Sequence, residues 1–154
     1  MIDSETFGFM VNDIARMSRA LLERRIAAAG LGITPGEARA LLYIAAQEGE
    51  RQTRIAERMG IEPMTACGYI DRLEKQGLVA RRADPQDRRA KQVVTTEAAG
   101  ELIEAIAAET AAMREDILWG LSASDRETML AGLRDTRANL RSLLTPQAEE
   151  ADAS

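Results

Sequence analysis

Five cations crowd one turn-forming segment of this chain. Arg81-Arg82 precede Asp84-Pro85-Gln86-Asp87, and Arg88, Arg89 and Lys91 follow it. Guanidinium groups stay charged at any physiological pH and present a planar fork of donors that matches phosphate oxygens. The chemistry on offer is therefore recognition of a polyanion rather than bond making. A second set lies just upstream, between Pro63 and Gln76. Thr65 offers a hydroxyl for a base or phosphate and a methyl that suits thymine. Tyr69 can donate to a phosphate, and Arg72 can reach a phosphate or a guanine edge. Gly68 permits close approach of the backbone, and Met64 and Ala66 complete that surface. Arg54 is placed to touch phosphate from the helix before, and Gln92 joins Lys91 at the base of the returning segment. Each residue also has a plainer use. Met64 and Tyr69 fit a core equally well, and Arg72 can pair with Asp71, Glu74 or a carboxylate of the loop. Asp84 and Asp87 would repel phosphate, so their expected role is an internal clamp on Arg88 or Arg89.

The charge distribution agrees. The whole chain of 154 residues carries a net charge of −5, yet residues 51–96 hold ten Lys/Arg against six Asp/Glu. A basic middle within an acidic chain marks a local phosphate-binding surface. Composition also excludes much. No histidine is present, which removes the commonest general acid/base and the commonest metal ligand. The lone cysteine permits no intrachain disulfide, consistent with a cytoplasmic setting. No phosphate-cradling Gly-rich loop or nucleophile motif occurs, so the chain reads as no enzyme, with no metal and no cofactor. No apolar run reaches the ~18 residues of a membrane span, and the N-terminus lacks the shape of a signal peptide.

The elements that must position these residues follow from periodicity. Residues 4–29 form a helix pattern with Phe7, Met10, Ile14, Met17 and Leu21 on one face. Thr34-Pro35-Gly36-Glu37 opens the next helix with a capping box and proline at its first position. A short helix over 53–59 turns at Gly60 into a second over 63–76 that stops at Gly77. Leu78 to Arg82 and Lys91 to Thr95 read as strands joined by the basic loop. Thr96 caps a fifth helix to about Leu118, and Ser122 or Ser124 caps a sixth that ends at Pro146. Ser124 with Glu127 would make a second capping box. The expected fold is mainly α with a small β-wing: a winged helix-turn-helix of six helices and a two- or three-stranded sheet. Residues 34–96 would be the DNA-binding domain, 1–33 with 97–146 a helical dimerisation region, and 147–154 a disordered acidic tail.

These motifs resemble the MarR (multiple-antibiotic-resistance regulator) family, and look closest to its SlyA-like members. The carrying residues are Gln52 to Gly60, Glu62-Pro63-Met64-Thr65, Ile70-Asp71-Arg72-Leu73-Glu74 with Gly77-Leu78-Val79, and Arg81-Arg82 followed by Asp84 to Lys91. The resemblance spans Phe7 to about Leu144. Thr95, where the family usually has an apolar residue, and Gly100, one place later than usual, depart from its pattern. It implies a homodimer that binds double-stranded DNA at a pseudo-palindromic operator, with a wing arginine (Arg88 or Arg89) in the minor groove. Arg81 and Arg82 would touch the flanking backbone. It also implies a transcriptional regulator, most often a repressor, released by a small, often aromatic, ligand. Met10, Met17, Tyr43 and Trp119 are candidate pocket residues, although such side chains more often serve core or interface. An adaptor that keeps the fold but binds protein is the alternative; the basic wing argues against it. Cys67 falls in the second helix of the motif and reads as a small packing residue, since peroxide-sensing members carry their cysteine near the N-terminus.

Overall fold

The computed structural model describes residues 5–87 and 89–144. The expected acidic tail and Arg88 lie outside the described residues, as does the first residue of the N-terminal helix pattern. Helix α1 spans Phe7–Ala29 and closes on Gly30. Helix α2, Pro35–Ala46, begins as expected: the Glu37 amide donates to Thr34 Oγ1 at 3.3 Å, and the Thr34 amide donates to Glu37 Oε2 at 2.8 Å. Two orphan donors at the helix start are thereby satisfied. Helices α3 (Gln52–Met59) and α4 (Pro63–Lys75) follow, then strands β2 (Val79–Ala83) and β3 (Lys91–Thr95). A 3-10 turn over Glu97–Ala99 leads into α5, Gly100–Ile117, and α6 covers Ala123–Leu144.

Two glycines make the motif's bends. Gly60 (φ 64°) lets the Ile61 amide return to the Ala56 carbonyl, and Gly77 (φ 74°) lets the Leu78 amide return to Leu73. Residues with a Cβ adopt these left-handed angles at a cost.

A short strand that periodicity did not announce, β1 (Glu50–Arg51), completes an antiparallel sheet of order β1-β3-β2. Val93 sits opposite Glu50 on one side and Arg81 on the other. The core gathers Leu41 and Ile44 of α2, Ile55 and Met59 of α3, Ile70 and Leu73 of α4, Val79 and Val93 of the sheet, Ile26 of α1 and Ile106 of α5. Burial of each such side chain stabilises by about 1.5–3 kcal/mol before conformational entropy is charged against it.

The described residues fall into two compact units divided between Arg114 and Glu115. In the first, the α1 stripe of Phe7, Met10, Ile14 and Met17 is exposed, and Leu22 and Ile26 make the inward contacts instead. In the second, the start of α6 is capped by Ser122, whose Oγ accepts from the Asp125 amide at 3.1 Å; Ser124 is not the cap. With Ser122 as the cap, the third helical position falls on Asp125 rather than Glu127, which is why Asp125 fills the acidic position. Helix α6 buries no residue, and Leu133, Leu140, Leu143 and Leu144 are exposed along it. Among the described residues, no helix is long and apolar enough to cross a membrane.

Candidate nucleic-acid interface

Helix α4 divides cleanly into two faces. Ala66, Ile70 and Leu73 point into the core. Met64, Thr65 and Arg72 are exposed, with Gly68 between them at the three- and four-residue steps of one helix face. Met64 is 83% exposed at the second position of the helix. The expectation that Ala66 belongs to the contact surface is corrected: its side chain is 0% exposed and serves packing. Tyr69 is half-buried with its ring against Gly36, where any Cβ would overlap the ring. It lies between the two roles considered for it, part core and part surface.

Arg72 has a partner that the sequence reading did not name. Its Nε donates to Glu37 Oε1, and its guanidinium carbon lies 5.3 Å from the Tyr69 ring centroid. Glu37 is buried while Arg72 remains about half exposed. Burial pushes the Glu37 carboxyl up, but the Thr34 amide, the Arg72 guanidinium and the Thr34 hydroxyl together outweigh it and hold the group below its ordinary value. The capping acid of α2 is thus also the counter-ion of an arginine on α4.

Among the described residues, the cation that clamps the wing comes from outside it. Arg51 of β1 donates from Nε to Asp84 Oδ2 at 2.7 Å, and its Nη1 lies 3.9 Å from Asp87. Asp84 is buried, and its other oxygen accepts from the Gln86 and Asp87 amides at 2.8 and 3.3 Å. The Arg51 contact, with those amides, holds the Asp84 carboxyl below its ordinary value against the opposing effect of burial. Asp87 in turn accepts from the Arg89 amide at 3.0 Å, leaving the Arg89 side chain exposed. The two aspartates therefore fold the loop through backbone amides and one outside cation. Arg82, Arg89 and Lys91 remain exposed beside this clamp.

Arg81 is likewise corrected. Rather than reaching toward a flanking backbone, its guanidinium contacts Glu74 and Asp71 at 2.5 Å each and Gln52 at 3.1 Å. Burial lowers its proton affinity, but the two carboxylates raise it further, so the net shift is upward. It ties α3, α4 and β2 together. Arg82, Arg89 and Lys91 are exposed, Gln92 is half-buried, and Arg54 is exposed with Glu57 beside it at 2.6 Å. Cys67 is half-buried rather than fully packed, with Sγ 3.7 Å from Asp71.

Of the pocket candidates, Tyr43 lines a cleft of about 370 Å³ together with Leu22, Arg39, Met59 and Met113. Met10, Met17 and Trp119 do not line it, and all three are exposed. Sequence reasoning missed Glu37, Arg51 and Gln52 as parts of this surface, and offered Glu74 to Arg72 where it pairs with Arg81. Only Glu37 carried a signal, through the capping box.

The family model of the MarR family matches residues 33–91. The transcriptional regulator PA3341 is similar at 36% identity over 89% of this chain and 99% of that one, with a TM-score of 0.73. CouR from Rhodococcus jostii RHA1, bound to p-coumaroyl-CoA, is 28% identical over 96% and 97% of the two chains, with a TM-score of 0.70. A MarR family transcriptional regulator from Listeria monocytogenes complexed with 26mer DNA shares the fold, with a TM-score of 0.75 at 21% identity over 99% and 100%. The wing, the two-faced α4 and these likenesses place the chain in the MarR family of transcriptional regulators, and it is not an enzyme.

Proposed function

We propose that the protein is a cytoplasmic homodimer that binds a pseudo-palindromic operator in double-stranded DNA and acts as a repressor released by a small ligand. The observation that carries the DNA reading is Met64. A large apolar side chain stands almost fully in solvent at the start of α4, beside the exposed Thr65, in a motif that continues into a basic wing. A helix start of this kind is what a helix-turn-helix protein sets against base edges. Residues 34–96 supply that surface. Arg82, Arg89 and Lys91 supply sequence-independent phosphate attraction, together with Arg88, and Arg88 or Arg89 enters the minor groove.

The dimer reading rests on the apolar residues left exposed on α1 and α6. Contiguous apolar surface of that kind is covered in stable soluble proteins, and two copies set two half-sites about 34–36 Å apart. Residues 1–33 and 97–146 are assigned this role. The ligand reading rests on the cleft beside Tyr43 and on the ligand-bound state of CouR. A ligand shifts the protein off DNA only if it binds the two dimer shapes with different affinity.

The test is fluorescence anisotropy with the DNA upstream of the protein's own gene, at two salt concentrations, against a scrambled duplex of equal length. Preference for the native duplex at both salts is the expected result. Equal, salt-sensitive binding to both duplexes would refute specificity. No binding at low salt would favour a winged-helix adaptor that acts through protein contacts.

A further inference from the structure

The outer face of α4 holds an arginine whose conformation is set from two sides. Glu37 takes its Nε, and the Tyr69 ring lies beneath its guanidinium. Arg72 Nη1 lies 3.6 Å from where a Cβ at Gly68 would stand. The side chain therefore runs back along the helix by one turn, in the direction helical side chains tilt, toward Met64 and Thr65. Among the described residues, no acceptor takes either Nη atom. Two parallel donors thus remain, in a plane fixed before any partner arrives. A long side chain ordered in advance loses less rotamer freedom on binding.

Two kinds of acceptor fit such a fork: a phosphate, or the O6/N7 pair of guanine. The local charge separates them. Glu37 offsets the positive charge of Arg72, so the Coulombic gain from a phosphate is reduced. Hydrogen bonds to a neutral base edge do not depend on net charge in the same way. Like Met64 and Thr65, the fork belongs to the exposed face of α4.

We propose that Arg72 reads a guanine of the operator through its two Nη donors, and that Glu37 is the residue that positions it. This rests on the DNA-binding reading above and adds the base class and the second residue.

The experiment uses the full chain and an operator duplex in which each guanine is replaced in turn by 7-deazaguanine, which lacks only the N7 acceptor. Wild type should lose affinity at one guanine per half-site, by about 3- to 10-fold, since O6 is kept and only part of the roughly 5- to 100-fold range of a whole bidentate contact is removed. Arg72→Ala removes every donor at this position, and should bind native and 7-deaza duplexes alike there. Glu37→Gln should blunt the same sensitivity, at temperatures well below its own Tm, and leave the response at every other guanine unchanged. Glu37→Gln in the Arg72→Ala background should change base preference no further. A merely structural Glu37 would lower Tm and shift all duplexes together, which would overturn the positioning role. Uniform weakening by Arg72→Lys or Arg72→Ala across all duplexes, with the Arg72→Ala salt slope reduced by about one, would show a phosphate contact and overturn the base reading. A wild-type chain that prefers no duplex over a scrambled one would fail earlier, at the DNA reading itself.

Discussion

Arg51 of β1 and Asp84 of the wing meet at 2.7 Å across 33 residues of sequence. The same carboxylate holds the Gln86 and Asp87 amides, so one buried acid joins the first strand to the fold of the loop. Asp84→Ala and Arg51→Met should each weaken operator binding by about tenfold. Because both break the Arg51–Asp84 contact, the double variant should be little worse than Asp84→Ala alone, which also releases the Gln86 and Asp87 amides. Anisotropy titrations of the four proteins measure this; fully additive losses would mean that the two residues act separately.

Acid should loosen both clamps. The Glu37 and Asp84 carboxyls are held below their ordinary values of 4.5 and 3.8. The unfolded chain then binds more protons than the folded one as pH falls, so stability drops with pH. The contribution is complete above those ordinary values and is lost as pH passes down through the folded ones. The Tm difference between wild type and Glu37→Gln should therefore shrink on going from about pH 6 to about pH 3. A difference that stays constant would show that ionisation of Glu37 contributes nothing.

Gly36 is required by its neighbour. A Cβ there would overlap the Tyr69 ring, whose position is shared with Arg72. Overpacking of this kind costs roughly 1–3 kcal/mol. Gly36→Ala should lower stability by that amount in urea denaturation, and much less in a Tyr69→Ala background. Equal losses in both backgrounds would trace the effect to the helix backbone instead.

The apolar face of α6 gives a test of assembly. Leu133→Glu and Leu140→Glu place charges on a helix with no buried residue. If that face is covered by a second copy, light scattering after size exclusion should show the mass halved and operator affinity reduced by more than tenfold, as one half-site is lost. An unchanged mass would place the dimer contact elsewhere.

Local features were legible in the sequence because their physics is local. The Thr34–Glu37 box, the stops at Gly60 and Gly77 and the turn chemistry of Asp84 to Asp87 depend on residues within four positions of each other. The partners of the cations were not legible. Arg72 finds Glu37 at a separation of 35 residues and Arg51 finds Asp84 at 33, and neither spacing leaves a periodic trace. Strand β1 has two residues, too few to alternate. Arg81 looked like an outer cation by composition, and became an inner one because Glu74 and Asp71 of α4 face it.

Strand β3 lies between β1 and β2, so the returning half of the wing is the middle of the sheet rather than its fringe. Its central residue, Val93, faces a partner on each flank and is wholly buried. Amides in such a strand exchange with solvent only when the sheet opens as a unit. The wing is thus anchored like a floorboard beneath a wall: its root moves with the domain, and a ligand or a DNA backbone that shifts the root must shift the start of α3 as well.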